Sequence, residues 1–170
     1  MQRVMVIGSP GAGKSTLARR LASLTGLPLR HLDAEYWLPR WTERDPDEWR
    51  AKLAALVAQD SWIIDGNYGG SLAVRVARAD TIVHLDYPTA TCLWRAVRRI
   101  ATSHGRVRTD SAPDCPEQLD LSFLGYIATF RSRKRAKIMR LTSGFSGKVL
   151  RFTRPAEPER WLAALASPLH

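Results

Sequence analysis

The sequence has 170 residues, of which 45% are hydrophobic and 25% are charged, so we expect one globular domain, residues 1–170, with a substantial core. This composition excludes a disordered chain. No apolar run approaches the roughly 20 residues of a membrane span, and the N-terminus lacks a signal-peptide pattern. The two cysteines, Cys92 and Cys115, match neither a disulfide framework nor a metal-ligand spacing, so we expect a cytoplasmic protein.

The net charge of +10 is unevenly distributed along the chain. All of the excess lies in residues 91–155, whereas the segments before and after it are nearly neutral. Such a segment either binds an anionic ligand or forms a solvated basic face. Arginines far outnumber lysines, which favours bidentate contacts to phosphate.

The first predicted element is a buried strand at residues 3–7, followed by the spacing G-x-x-x-x-G-K-S of a phosphate-binding loop. Its glycines let the backbone approach phosphate oxygens, and the helix that opens near Lys14 adds its positive N-terminal end. We expect Lys14 to reach the β- and γ-phosphates and the Ser15 hydroxyl to bind Mg²⁺. The predicted nucleotide-binding residues are Gly8, Ser9, Pro10, Gly11, Ala12, Gly13, Lys14, Ser15 and Thr16.

The next two strands each end at an aspartate. The segment "GLPLRHLD" predicts a short strand that ends at Asp33, and "SWIIDGN" predicts a strand that ends at Asp65. Between them, Asp45 caps a predicted helix whose inner stripe is formed by Trp49, Leu53, Leu56 and Val57. A strand-end carboxylate can accept a proton from an attacking hydroxyl or hold Mg²⁺ through water, whereas the structural alternative is a capping aspartate. We predict that Asp33 and Asp65 are catalytic.

The second half of the chain continues the alternation. A short helix follows Ser71, "TIVHLDYP" predicts a fourth strand, and a helix begins at about Thr89. Residues 104–117 have no clear period, so we predict a short mobile lid there. A helix over residues 119–141, broken near Arg131, precedes a fifth strand in "GKVLRFT" and a closing helix in "EPERWLAALA". This alternation predicts a parallel sheet with helices on both faces and ligands beyond the carboxyl ends of its strands.

These motifs together resemble a known family. "GSPGAGKST" is similar to the phosphate loop of adenylate kinases and related small-molecule kinases, and "WIIDGNY" resembles their Asp-Gly segment beside the acceptor. "HLDAEYW", "CLWRAVRR" and "CPEQLDLSFL" most closely resemble adenylate-kinase-related proteins labelled DNA topology modulation proteins. The resemblance covers nearly the whole chain. It implies a three-layer P-loop NTPase fold, nucleoside-monophosphate-kinase-like, with a five-stranded parallel sheet, and ATP- and Mg²⁺-dependent phosphoryl transfer to a small molecule.

By position, the resemblance implies catalytic roles for Lys14, Arg95 and Arg99, and a role in supporting adenine for the loop 153–156. It places Asn67-Tyr68 where adenylate kinases carry Phe-Pro-Arg, so AMP is not the expected acceptor. The expected acceptor-binding residues are Asp33, Asn67, Tyr68 and Arg75. The further arginines expected to contact phosphate in the helix, the lid and the following helix are Arg98, Arg106, Arg108, Arg131 and Arg133.

Two observations leave alternatives open. Trp37 and Trp41 either stack on an acceptor ring or serve in packing. The run "RSRKRAKIMR", residues 131–140, carries six basic side chains, which also suits a nucleotide-binding regulatory protein that contacts nucleic acid. No helix-turn-helix, zinc or RNA-recognition pattern accompanies that run, so we favour the kinase, and we expect a monomer.

Overall fold

The computed structural model describes residues 1–107 and 109–167 and contains the predicted five-stranded parallel sheet. The strands lie in the order β2-β3-β1-β4-β5. Their bounds are β1 (Arg3–Gly8), β2 (Leu29–His31), β3 (Trp62–Asp65), β4 (Thr81–Leu85) and β5 (Lys148–Phe152). The helices are α1 (Lys14–Thr25), α2 (Leu32–Tyr36), α3 (Pro46–Ala58), α4 (Leu72–Arg78), α5 (Thr89–Ser103), α6 (Leu121–Ser143) and α7 (Ala156–Ala166).

The register of the sheet brings three strand ends to one edge. Val6 of β1 lies beside Asp65 of β3, and Asp65 lies beside His31 of β2. On the other side of β1, Gly8 is paired with Leu85 of β4. Because all five strands are parallel, the loops that follow them meet at this edge, which is where ligands bind in folds of this type.

The central strand β1 separates the core into two layers. Val4 and Val6 face the layer that includes buried residues of α1 and α5. Met5 and Ile7 face the layer that includes buried residues of α3 and α6. Both sets of side chains are almost completely buried because helices cover both faces, which explains why the strand is apolar without alternation.

The predicted capping of α3 is confirmed. Asp45 Oδ1 accepts hydrogen bonds from the backbone N–H groups of Asp47, at 2.8 Å, and Glu48, at 3.1 Å. Trp49 and Leu53, which we predicted as part of the inner stripe, are buried in the core.

Two predicted element boundaries are wrong. Asp33 does not end a strand, because β2 stops at His31 and Asp33 lies in the first turn of α2. The chain turns there because Leu32 packs into the core and is completely buried. Helix α6 is not broken near Arg131. Arginine is a good helix former, and a buried stripe that includes Phe130 and Ile138 continues on both sides of it.

The 104–117 segment connects α5 to α6, and its described residues make contacts within the segment. Two isolated bridges close it, one between His104 and Glu117 and one between Val107 and Pro116. Its mobility stays a prediction, as does the single-domain organisation of residues 1–170. In the described part of the chain no helix combines the length and apolar character needed to cross a membrane.

Candidate active site

A cleft of about 900 Å³ opens at the carboxyl edge of the sheet. The phosphate-binding loop forms one wall, and the ends of β2 and β3 form another. Residues from the 104–117 segment and from the start of α6 complete the lining. The sequence motifs that we singled out separately therefore share one cavity.

The glycines of the loop are required by its close packing. Gly8 has φ +147°, and a Cβ atom at this position would lie 2.5 Å from the carbonyl oxygen of Leu85 on β4. Gly11 has φ +80°, and a Cβ there would collide with the carbonyl oxygen of Cys92 on α5. Larger residues would strain the backbone and push the loop away from the sheet.

The lysine of the loop lies at the N-terminus of α1. Lys14 Nζ donates a hydrogen bond to the Ser9 carbonyl, at 3.2 Å, across the hollow of the loop. Burial lowers the pKa of Lys14, although the nearby carboxylates of Asp33 and Asp65 act in the opposite direction. An ammonium group in a loop of N–H groups at a helix N-terminus is suited to bind phosphate.

Ser15 is next to this lysine and lines the same cleft. The described residues contain no group of three or more His, Cys, Asp or Glu side chains arranged to hold a metal ion. Mg²⁺ in kinases commonly takes few protein ligands and binds to substrate phosphates for the rest. The residues present therefore fit a magnesium ion that is bound mainly through a nucleotide.

Asp65, at the end of β3, is paired with a histidine that the sequence analysis missed. Its Oδ1 lies 2.7 Å from Nδ1 of His31, at the end of β2, and both residues line the cleft. Burial disfavours the charged imidazole, but the hydrogen bond and the charge of Asp65 outweigh burial and raise the pKa of His31. The only sequence signal for His31 was its place in the motif "HLD". Its pairing with Asp65 could not be predicted, because the register of β2 against β3 is not visible in the sequence.

Asn67 connects the end of β3 to the phosphate-binding loop. Its side-chain amide donates to the Gly8 carbonyl, at 2.8 Å, and its Oδ1 accepts from the Gly8 N–H, at 3.2 Å. Asn67 also lines the cleft, where we predicted acceptor binding. Because both ends of its amide are bonded to the loop, this side chain fixes the loop against β3.

Asp33 and Tyr68 meet in the wall of the cleft where we predicted acceptor binding. The two side chains are hydrogen bonded, and burial together with the Asp33 carboxylate raises the pKa of Tyr68. Behind Tyr68, the rings of Tyr36 and Trp49 pack at centroid distances of 4.7 and 5.5 Å. This packing fixes the Tyr68 ring in the wall of the cleft.

A short hairpin, residues 37–43, brings Trp37 and Trp41 to the cleft, with their rings 5.6 Å apart. Trp41 has φ +58°, an uncommon conformation for a large side chain. Its backbone N–H donates to Cys115 Sγ, at 3.3 Å, and its indole N–H donates to the Pro116 carbonyl, also at 3.3 Å. Both tryptophans therefore line the cleft, and Trp41 connects the hairpin to the 104–117 segment.

Two of the predicted arginines on α5 line the cleft. Arg95 donates to the Ala12 carbonyl, at 3.2 Å, and lies over the ring of Tyr87. Arg99 is bonded to Glu117 at 2.9 Å, through Nη2. Because they are four residues apart, both face the phosphate-binding loop from the same side of the helix.

Other predicted arginines lie elsewhere. Arg98 and Arg106 are exposed and do not line the cleft. Arg133 is exposed on α6. Arg108 lies outside the described residues. Arg75 is completely buried and does not line the cleft, and its guanidinium donates to two backbone carbonyl oxygens that follow β3. Its contact with an acceptor stays a prediction that this burial disfavours.

Arg131 belongs to a second cluster, which we call the Asp86 cluster. The carboxylate of Asp86 directly follows β4, is nearly completely buried, and accepts hydrogen bonds from Arg131, Arg135 and Arg151. Burial alone would raise the pKa of Asp86, but the hydrogen bonds of Arg135 and Arg151 outweigh burial and lower it. Two residues of the basic run 131–140 are therefore used in an internal ion-pair network.

The loop after β5 was predicted to support adenine. Pro155 lines the cleft, whereas the backbone N–H groups of Thr153 and Arg154 donate to the carboxylate of Glu157, at 2.6 and 3.1 Å. Those two donors are therefore engaged by the first turn of α7, and the role of the loop toward adenine stays a prediction.

Comparisons with known proteins agree with this fold. No curated protein matches the sequence. The structure is similar to shikimate kinase from Bacteroides thetaiotaomicron, with a TM-score of 0.59, 15% identity, and coverage of 96% of this chain and 95% of that chain. It is also similar to shikimate kinase from Acinetobacter baumannii in complex with shikimate, with a TM-score of 0.56, 16% identity, and coverage of 97% and 90%.

At these identities the likeness shows the fold, which is the predicted P-loop fold of nucleoside-monophosphate-kinase-like proteins. No finding supports the narrower resemblance to DNA topology modulation proteins. Residues 4–113, which include the phosphate-binding loop and most of the cleft, match the AAA domain family. The chain therefore belongs to the AAA domain family, built on a kinase-like P-loop fold.

Proposed function

We propose that this protein is a kinase that transfers the γ-phosphoryl group of ATP to a small-molecule acceptor. The observation that carries the proposal is the shared cleft, in which a phosphate-binding loop faces a wall of acidic and aromatic side chains. Its volume of about 900 Å³ is in the upper range for ligand sites, and two substrates can lie side by side in such a space. Phosphoryl transfer requires mainly this in-line placement together with positive charge around the transferred group.

The donor side is assigned to the phosphate-binding loop. Its backbone N–H groups and the Lys14 ammonium would hold the β- and γ-phosphates, and the Ser15 hydroxyl would hold Mg²⁺. When bound, Mg²⁺ neutralises charge on the phosphates. The hydrogen bond from Lys14 to the Ser9 carbonyl holds the ammonium in the loop before a phosphate replaces this partner.

Arg95 and Arg99, on α5, would supply positive charge to the cleft. Their guanidinium groups line the cleft, where they would stabilise negative charge on the transferred group. The ion pair between Arg99 and Glu117 attaches the end of the 104–117 segment to α5. Closure of that segment over the substrates would exclude water and limit hydrolysis of ATP.

The acceptor side is formed by Asp33, Tyr68 and the tryptophan hairpin. Flat aromatic walls next to a carboxylate are suited to a small molecule that has an apolar face and a hydroxyl group. Of the similar structures, the kinase from Acinetobacter baumannii is in complex with shikimate, a small acceptor bound in the same fold. This supports a small molecule as the acceptor and leaves its identity open.

The test has two stages. Isothermal titration calorimetry with Mg·ATP should show binding, and Lys14→Ala should abolish it, whereas Lys52→Ala, a lysine of α3 paired with Glu35, should bind normally. A panel of nucleosides, nucleotides, sugars, hydroxy acids and amino alcohols is then screened for compounds that stimulate ADP release. The proposal is wrong if Mg·ATP does not bind, or if no compound stimulates ADP release in a Lys14-dependent manner.

Contact with nucleic acid through residues 131–140 stays an alternative prediction. Arg131 and Arg135 are bonded to Asp86, whereas Arg133, Lys134 and Lys137 are exposed on α6. A salt series of binding to random duplex DNA tests it, since contacts to backbone phosphates give a steep decrease of affinity with salt. Binding that is weak and insensitive to salt would exclude it.

A further inference from the structure

We infer that His31 is the general base that takes the proton from the acceptor hydroxyl, and that Asp65 is the residue that positions it. The inference rests on the proposed phosphoryl transfer and assigns a residue in the same cleft. It is based on the close contact of these two side chains. His31 and Asp65 end neighbouring strands, the sheet register places them side by side, and their Nδ1 and Oδ1 atoms are 2.7 Å apart.

The burial of the two side chains decides which of them faces the acceptor. The Asp65 side chain is 5% exposed, whereas the His31 side chain is 14% exposed. One carboxylate oxygen of Asp65 is bonded to the imidazole. Asp65 therefore acts on the cleft mainly through His31, which changes the role that the sequence suggested for Asp65.

The hydrogen bond also selects the form of the imidazole. When Nδ1 donates its proton to the Asp65 carboxylate, the lone pair of the neutral ring is on Nε2. Within residues 1–107 and 109–167, the only hydrogen-bond partner of His31 side-chain nitrogens is Asp65, through Nδ1. A lone pair at the wall of the cleft is what a general base requires.

The acceptor oxygen forms a bond to the γ-phosphorus of ATP, and the bond from that phosphorus to the β,γ-bridging oxygen breaks. The electron pair of the broken bond leaves with ADP, and the hydroxyl proton moves to Nε2 of His31. The imidazolium that forms is stabilised by the Asp65 carboxylate.

The charged groups that face His31 set the pH dependence. Asp65 on β3 and Asp110 in the 104–117 segment favour the charged imidazole, and Arg19 on α1 disfavours it. Burial also disfavours the charge, but the two carboxylates outweigh it and raise the pKa of His31 above its ordinary value of 6.5. Because the base must be neutral, kcat/KM should increase with pH above that value. In Asp65→Asn this increase should move to lower pH.

Asp33 is the competing candidate for the base. It lines the same cleft, and its carboxylate is hydrogen bonded to Tyr68. If Asp33 were the base, Asp33→Asn would remove the pH-dependent increase of kcat/KM and variants of His31 would retain it. The two assignments therefore make opposite predictions for the same measurement.

The deciding variant is His31→Asn, whose amide can still donate to Asp65 but which has no Nε2. Phosphoryl transfer is measured with Mg·ATP and the best acceptor of the panel, or as hydrolysis with water as the acceptor. We expect kcat to fall by about 100-fold or more while KM for ATP changes by less than about threefold, and the pH-dependent increase to disappear. Arg30→Gln, an exposed neighbour on β2, serves as the matched control and should behave as the unmodified protein.

A second measurement does not depend on the folding of a variant. Nitrogen-15 NMR of the histidine rings in the unmodified protein should show His31 with a proton on Nδ1 and none on Nε2 above its pKa. The opposite tautomer, or a His31→Asn variant with kcat within about threefold of the unmodified protein, would overturn the inference. If Lys14→Ala abolishes ADP release but His31→Asn does not, the kinase proposal survives and only this inference fails.

Discussion

Two buried carboxylates at the same edge of the sheet have surroundings that suit different tasks. Asp65 ends β3, and within the described residues its carboxylate is hydrogen bonded to His31, which lines the cleft. Asp86 follows β4 and is held by three guanidinium groups, at 2.5 Å from Arg151, 3.0 Å from Arg135 and 3.4 Å from Arg131. A carboxylate surrounded by fixed cations is stabilised but has no proton to move. A carboxylate bonded to one imidazole can direct a proton.

Arginine content alone therefore does not identify the residues that contact phosphate. The basic segment supplies both Arg95 and Arg99, which line the cleft, and Arg131 and Arg135, which neutralise Asp86. Substitutions of Arg95 or Arg99 should therefore affect the rate of phosphoryl transfer. Substitutions in the Asp86 cluster should instead affect stability.

The largest expected effect is on the rate. Arg99→Gln should lower kcat by about 10³-fold, because an arginine that stabilises charge on the transferred phosphoryl group contributes at least that factor. Arg135→Gln, on α6, is the matched substitution in the Asp86 cluster and should change kcat by less than about threefold. Steady-state ADP release measures both. Equal losses of kcat in the two variants would show that the cleft arginines and the Asp86 cluster do not have separate functions.

The next effect is a pH dependence of stability. Burial is the main cause that lowers the pKa of His84, which is next to the Asp86 cluster, from 6.5 to about 4. Between these values the unfolded chain binds a proton that the folded protein does not. The free energy of unfolding should therefore fall by up to about 3 kcal/mol as the pH decreases from 6.5 to about 4.

His31 should contribute with the opposite sign, since its pKa in the folded protein is raised. Its stabilising effect is present below pH 6.5 and is lost as the pH rises through the folded pKa. Urea unfolding at a series of pH values, with His84→Gln and His31→Asn beside the unmodified protein, separates the two histidines. An unchanged acid slope in His84→Gln would contradict the assignment.

Removal of the central charge of the Asp86 cluster should have a smaller effect. Asp86→Asn should reduce the free energy of unfolding by about 2 kcal/mol, below the usual cost of breaking a buried pair because the arginines remain partly hydrated. Its kcat should stay close to that of the unmodified protein. Denaturant unfolding and steady-state kinetics on the same preparation check both statements. A large loss of kcat without a loss of stability would assign Asp86 to the reaction.

The smallest effect is expected for a carboxylate outside both clusters. Asp45→Ala removes two hydrogen bonds to the N-terminus of α3 and should cost about 1 kcal/mol of stability with no change in kcat. Thermal unfolding measures the cost. If Asp45→Ala destabilised the protein more than Asp86→Asn, the buried ion pairs of Asp86 would not contribute more to stability than an exposed helix cap.

The sequence predicted the strand, loop and helix at the start of the chain because their signals are local. The glycine spacing, Lys14 and the apolar strand before them specify a strand, a loop and a helix within a short segment. The α3 cap at Asp45 and its buried stripe were predicted for the same reason. In each case the residues that determine the conformation are the residues that adopt it.

The other wall of the cleft depended on contacts between residues distant in sequence. His31 and Asp65 are 34 positions apart, and only the pairing of β2 with β3 brings their side chains together. The burial of Arg75 could not be read from its position in a short arginine-containing helix. The sequence also gave no indication that Arg131 would be bonded to Asp86, 45 positions earlier.

By itself, then, the sequence determined the order of strands and helices, the parallel sheet and the phosphate-binding loop, because hydrophobic period, capping and glycine spacing act over a few residues. The tertiary structure decided which charged side chain faces the cleft and which is neutralised inside the protein. The physical reason is that burial and ion pairing depend on the neighbours supplied by other strands and helices, and these neighbours are fixed only when the sheet register and the helix packing are in place.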